Sequence, residues 1–275
     1  LIKNLEKKII LVLLTIIPIF CFGNSITQDE IIDSYSQSKE LFRKANQIAA
    51  TNQKEAMELY QKAAEHLEKI ISKGNIHNGK LYYNLGNIYF RMQDIGQAIL
   101  NYKRAQMFIP DDPNLQQNLA YAKTKRIDQI EEKQETKILN TIFFWHYDFS
   151  PKTRIFIFAI SFALIWICAS IRLFINKAKA TISWAIAISS IVAISFLVSL
   201  SIDYFADARF NHGVILSYET MVRKGDGETY EPSFERPLHA GTEFILVEKR
   251  REWYRIELLN GQQGWVLASN VGLVK

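Results

Sequence analysis

Residues 79–112 read GKLYYNLGNIYFRMQDIGQAILNYKRAQMFIPDD, and this stretch decides the fold of the first half of the chain. Tyr82, Leu85, Gly86 and Tyr89 fall on one face of a helix, at the spacing that a 3.6-residue period requires. Ala98, Tyr102 and Ala105 fall on one face of the next. Gly86 and Ala98 are small where two helices must cross closely, and the four larger side chains fill the space around them. Pro110 has no N–H to donate and stops the second helix.

That pattern resembles a tetratricopeptide (TPR) repeat. The resemblance implies a surface that holds peptides or helices and has no chemistry of its own. Working outward, Thr27-Gln28-Asp29-Glu30 forms a capping box, and a helix is expected to run to about Ala50. Asn52 breaks it. Ala56, Tyr60 and Ala63 then repeat the spacing of Ala98, Tyr102 and Ala105. Residues 38–72 therefore read as an eroded earlier repeat with Leu41, Ala45 and Ile48 on its first helix. After the good repeat, Asp112 is an N-cap and Pro113 the first helical residue. Leu119 and Ala120 sit where Leu85 and Gly86 sat, but no second helix follows. The expectation is one long capping helix over 113–139, its polar tail KTKRIDQIEEKQETK forming a solvated face. By resemblance, a groove is lined by Lys80, Tyr83, Asn84, Asn87, Phe90, Arg91, Gln117 and Asn118. Asn87 and Asn118 would hydrogen-bond a bound peptide backbone; ordinary exposed amides are the other reading.

The chain has 275 residues, is 48% hydrophobic and carries a net charge of +5. The basic balance does not point to nucleic acid, because many of the Lys and Arg flank apolar blocks or alternate with Glu. Cys21 and Cys168 both lie inside apolar blocks, which leaves no disulfide framework and no cysteine metal site. Residues 1–23 have the layout of a secretory signal: Lys3, Lys7 and Lys8, then the short apolar run Ile9–Phe20, then small residues. An uncleaved anchor, or a lipoprotein acylated on Cys21, are the alternatives; bulky Phe20 argues against the second. Residues 154–175 and 181–205 are each long and apolar enough to span a bilayer. The loop 176–180 between them is too short for a domain, so they form a hairpin. Its positive charge marks it as cytoplasmic, which puts both flanking regions outside. The linker 141–153 carries the aromatic cluster FFWHYDFSP, which suits a membrane interface; His146 and Asp148 are read as part of it and not as a catalytic pair. Ala185, Ser189 and Ala193 form a small-residue stripe for close helix packing.

Residues 206–275 turn to short β segments with clear alternation in Phe244-Ile245-Leu246-Val247 and Tyr254-Arg255-Ile256-Glu257-Leu258. Asn260-Gly261 marks a hairpin turn. Gly241-Thr242, Trp253-Tyr254-Arg255-Ile256, Gly261 and Gly264-Trp265-Val266 together resemble a bacterial SH3-like barrel, with Met221-Val222-Arg223-Lys224 before its variable loop. Such domains commonly bind peptides or cell-wall material, and Tyr218, Trp253 and Trp265 would form an aromatic strip. At least one Trp is expected in the core, and His212 and His239 on the surface.

The reading is therefore multidomain: an all-α TPR region over 24–140, a two-helix transmembrane hairpin and an all-β SH3-like barrel. This order, and the stretch YYNLGNIYFRMQDIGQAILNYKRAQMFIPDDPNLQQNLAYAK, resemble the BatE family of the Bacteroides aerotolerance (Bat) operon. The chain departs from that family's pattern at Gln93, where a Gly is usual. The resemblance implies an assembly role in the envelope, with von Willebrand factor A domain proteins, other TPR proteins and a MoxR-type ATPase as partners. No nucleophile, metal cluster or phosphate loop appears, so no cofactor and no enzyme activity are expected. The apolar hairpin and its basic loop are expected to sit in the inner membrane, with both outer domains periplasmic. A wall-associated adaptor is the alternative, with the SH3-like domain on peptidoglycan and the TPR recruiting a wall enzyme.

Overall fold

The computed structural model describes residues 26–131, 141–147, 149, 151–174, 178–207 and 211–274. The expected signal segment lies outside these residues. Among the described residues, five helices come first: α1 (Gln28–Ile48), α2 (Gln53–Gly74), α3 (Gly79–Arg91), α4 (Ile95–Phe108) and α5 (Pro113–Thr124). Each begins where a polar side chain accepts an otherwise orphaned backbone N–H. Thr27 and Glu30 complete the capping box. Asn52, Asn78, Asp94 and Asp112 cap the other four. Helix α3 ends in a Schellman motif: the N–H of Asp94 donates to Tyr89 O and that of Gln93 to Phe90 O. The motif needs a left-handed residue, and Gln93 supplies it at φ 64°. This is a position that favours glycine, so Gln93 carries a backbone cost there.

Among these five helices α1 packs most on α2 and α3 on α4; α2–α3 contacts join the two pairs, and α5 packs on α4. Ala45, Ala63, Ala98, Ala105 and Tyr102 are fully or almost fully buried between them. A Cβ on Gly86 would lie 2.5 Å from the ring of Tyr102, so the small residue is a steric requirement of the crossing.

The expected long helix over 113–139 is not formed. Helix α5 stops at Thr124, and the chain continues as a non-helical segment to 131; residues 132–139 lie outside the described residues. Leu119 is buried like Leu85, but Ala120 is exposed.

Two long apolar helices follow, α7 (Pro151–Phe174) and α8 (Lys179–Asp207), after a single-turn helix α6 (Phe144–Tyr147). Their most apolar windows reach mean hydropathy 2.2 and 2.4, and both are long enough to cross a membrane. They pack on one another. Ala193, Phe196 and Ser199 of α8 are buried, and Ala185 and Ser189 half-buried, so the small-residue stripe lies on the face turned to α7. Phe156, Trp166, Trp184 and Ile191 point outward. Arg154 Nη1 donates to Ser199 Oγ at 2.8 Å, and His146 Nδ1 lies 2.9 Å from the same hydroxyl. His146 thus ties the aromatic linker to the helix pair; Asp148 lies outside the described residues.

The carboxyl-terminal region has seven strands, β1 (Asn211–Ile215), β2 (Glu219–Thr220), β3 (Leu238–His239), β4 (Glu243–Arg250), β5 (Trp253–Leu258), β6 (Gln263–Leu267) and β7 (Val271–Leu273). Five of them form one antiparallel sheet in the order β6-β5-β4-β1-β7, and β2 pairs with β3. The β5–β6 turn uses Gly261 at φ 83°. Phe244, Leu246, Ile256, Leu258 and Val266 point inward, as their alternation requires. The backbones of Arg223 and Trp265 exchange two hydrogen bonds of 2.8 Å, which covers part of the β6 edge.

The helical and β regions are not separate bodies. Adjacent residues of β1 serve both cores: Val214 packs with the helices and Ile215 with the sheet. Helix α4 meets β1 and β7. A Cβ on Gly96 would lie 2.9 Å from the carbonyl oxygen of Ile215.

Replacing Gly86 by Val is expected to lower stability by roughly 1–3 kcal/mol through overpacking against Tyr102. Thermal unfolding of the detergent-solubilised chain, followed by circular dichroism, reads this; an unchanged midpoint would refute the close crossing.

Candidate functional site

Helices α1, α3 and α5 present residues to one shared face. Tyr83, Asn87 and Phe90 of α3 follow one stripe at three- and four-residue spacing, opposite Asn118 and Tyr121 of α5. Asn118 Nδ2 donates to Tyr83 Oη at 3.0 Å and to Asn87 Oδ1 at 2.9 Å. Tyr102 Oη, reaching through from α4, also donates to Asn87 Oδ1 at 2.8 Å. The phenol of Tyr102 is pushed far up by burial, so it stays a donor at any physiological pH. The two asparagines hold each other in place through Asn87 Oδ1, and Asn87 also lines the cleft beside α1. Phe90 and Tyr121 continue the stripe with ring centroids 5.6 Å apart.

Asn84 and Asn87 line a cleft of about 280 Å³ with Tyr35, Lys39 and Phe42 of α1. These three were not expected from the sequence. Their spacing of four and three residues on α1 is the available signal, matching Tyr83, Asn87 and Phe90 on α3. It was obscured because the eroded repeat has no Leu-Gly pair to set its register. Lys80, Arg91 and Gln117 are exposed at the margins of the same face. Ser38, also at the cleft, is buried and donates to the Ala63 carbonyl at 2.8 Å.

No family model matches the chain, and no curated protein matches it.

Of the aromatic strip expected on the β region, Trp253 and Trp265 fall on the same face of β5 and β6, because Trp253 pairs with Leu267 and Trp265 with Arg255. Trp265 is buried, with the Arg250 guanidinium 5.0 Å above its ring. Trp253 is half-buried on β5. Tyr218 is 79% exposed, but its ring meets His239 at the helical side of the sheet. Trp265 is buried outside the β core: its neighbour Val266 points inward, and Trp265 lies on the opposite face under Arg250.

The polar tail after α5 departs furthest from expectation. Arg126 and Asp128 are not on a solvated face; they dock on the β region. Glu243 of β4 is ringed by three cations, with Lys103 Nζ at 2.8 Å, Lys123 Nζ at 2.7 Å and Arg126 Nη1 at 3.1 Å. Asp128 accepts from the Thr242 hydroxyl and the His239 backbone N–H, both at 2.6 Å, and lies 2.9 Å from the His239 ring. His239 is thus a partly buried interface residue and not a free surface histidine. Burial alone would raise the Glu243 carboxyl, but Lys103 and Lys123 outweigh it and hold it at about 2. Lys123 moves down as well, because burial and the neighbouring Lys103 cost its ammonium more than Glu243 returns. The cluster's net contribution is therefore smaller than the Glu243 shift alone. Burial likewise works against the Asp128 carboxylate, and its bonds to Thr242 and His239 prevail and lower its pKa.

Glu243→Gln would leave three cations around a neutral amide. It is expected to weaken the docking by roughly 3 kcal/mol, the cost of stripping one partner from a buried ion cluster. The wild-type carboxyl titrates lower when docked than when free, so protons favour the undocked state. The Glu243 contribution is complete above about pH 4.5 and fades as pH falls toward 2. Amide hydrogen exchange over residues 123–131 measures both effects; unchanged protection in the variant would refute the coupling.

Proposed function

We propose that this protein is a membrane-anchored scaffold that captures a partner segment in the groove of α1, α3 and α5. The observation that carries this reading is Asn87, a wall of the cleft beside α1, held by hydrogen bonds from Asn118 and Tyr102. Preorganised amides lose little freedom when they bind a peptide backbone. The TPR-like spacing of 79–112 supports the same reading, and the short β sheet fits an SH3-like module beside it. The hairpin of α7 and α8 supplies the anchor. The basic residues at its turn, Arg172, Lys177 and Lys179, favour a cytoplasmic loop, with the groove and β region on the periplasmic side of the inner membrane. By resemblance to BatE, the partners would be other Bat-type proteins with von Willebrand factor A or TPR domains, linked to a MoxR-type ATPase.

The wall-binding alternative has the weaker support because Trp265, one of the three rings it needs, is buried. Full-length protein in vesicles is expected not to sediment with purified peptidoglycan; co-sedimentation that Tyr218→Ala abolishes would restore that reading.

Crosslinking in native membranes followed by mass spectrometry tests the scaffold directly. Asn87→Ala combined with Asn118→Ala should remove the partner recovered with the wild-type chain, while the protein stays folded and membrane-inserted. Recovery of the same partner at the same yield would sink the groove.

A further inference from the structure

The stripe along α3 and α5 does not end at the helical region. Asn118, Tyr121 and Lys125 follow one another at three- and four-residue spacing, and Lys125 Nζ lies 4.9 Å over the Tyr121 ring. Lys125 is also a wall of a second cleft, of about 340 Å³, between the helical and β regions. Its other walls include Ile95 and Ile127 from the helical side and Leu216 and Tyr218 from the β side. Ile127 is 60% exposed and Tyr218 79% exposed, so two large apolar groups frame its mouth. Tyr218 is held there by its edge-on contact with His239, whose backbone and ring are fixed by Asp128. The ion cluster around Glu243 locks this register.

We infer that the groove and this inter-region cleft are one recognition surface, and that its occupant is an extended acidic segment of a partner protein carrying an aromatic side chain. This inference rests on the groove reading above. The charge along the path is basic: Lys39 at the first cleft, Arg91 at the margin and Lys125 at the junction. The acid at the second cleft, Asp94, is turned to the Gln97 N–H as the cap of α4. The amides of Asn84 and Asn87 take the backbone of the segment. The second cleft takes its aromatic ring between Tyr218 and Ile127, where aromatic stacking and apolar burial reinforce each other.

The test uses the full chain in lipid nanodiscs and three fluorescent peptides: a Glu/Asp-rich peptide with one Phe, the same peptide with Ala for Phe, and a Lys-rich version with Phe. The acidic Phe peptide should bind most tightly. Tyr218→Ala should weaken it roughly tenfold, as loss of one aromatic anchor does. The Ala peptide should be weaker and insensitive to Tyr218→Ala, whereas Asn87→Ala should weaken both acidic peptides. If Asn87→Ala weakens binding and Tyr218→Ala does not, the joined surface is wrong and the groove stands. Equal affinity for acidic and basic peptides overturns the charge assignment. No binding by any of the peptides overturns the inference here, while the membrane crosslinking above judges the groove by itself. Tyr218 is exposed, so its removal leaves the fold intact; unchanged circular dichroism checks this.

Discussion

Strand β1 belongs to two cores at once, and the rest of the molecule outside the apolar hairpin is arranged around that fact. A strand alternates its side chains between opposite faces. Val214 therefore enters the helical core while Ile215 enters the β core. This requires α4 to lie directly on the sheet, and Gly96 permits it by bringing backbone against the Ile215 carbonyl. The apolar contact fixes distance but little else, since burial is non-directional. Direction comes from the polar ring around Glu243 and from Asp128, whose partners are specific and partly desolvated. Lys103, Lys123 and Arg126 come from α4, α5 and the segment after it, so one carboxylate holds three successive parts of the helical region.

Much of the local structure was legible in the chain because local signals agreed with one another. Thr27 and Asp112 marked two helix starts, and the Tyr82–Pro110 spacing placed α3 and α4. The alternation in 244–258 gave two strands, and the two apolar blocks gave the helix pair. What the sequence could not deliver was any contact between distant segments. Arg126 and Asp128 look like ordinary surface charges when read in the run KTKRIDQIEEKQETK. Their role depends on Glu243 and Thr242, more than a hundred residues away and beyond the apolar hairpin. The burial of Trp265 was illegible for the same reason, because a tryptophan in a strand reads alike whether its partner is solvent or Arg250.

The candidate groove shows the same division. Asn87 and Asn118 were recognisable from their positions in the repeat pattern, and both lie on the shared face. That they hydrogen-bond to each other, and that Tyr102 reaches through from the next helix to hold Asn87, is a tertiary fact. It changes their chemistry: two mobile amides would have to be ordered by a ligand, whereas this pair is already ordered. The wall from α1, with Tyr35, Lys39 and Phe42, was illegible because the first helical pair lacks the Leu-Gly signature that fixes register.

A stack of helix pairs exposes an apolar face wherever it stops, and such arrays need a polar end. The expected device was a long polar helix after Asp112. The chain uses a folded β region instead: α5 ends early at Thr124, and β1 and β7 cover α4 where a further helix would otherwise pack. A helix cap would have left the groove open at its far end and extensible by another repeat. A β cap closes it, and it sets Tyr218 beside the last helical turn. The length of any bound segment is then bounded by the cleft beside α1 at one end and by Tyr218 at the other. Capping and recognition thus fall to the same element, which is why loosening the Glu243 cluster should disturb both.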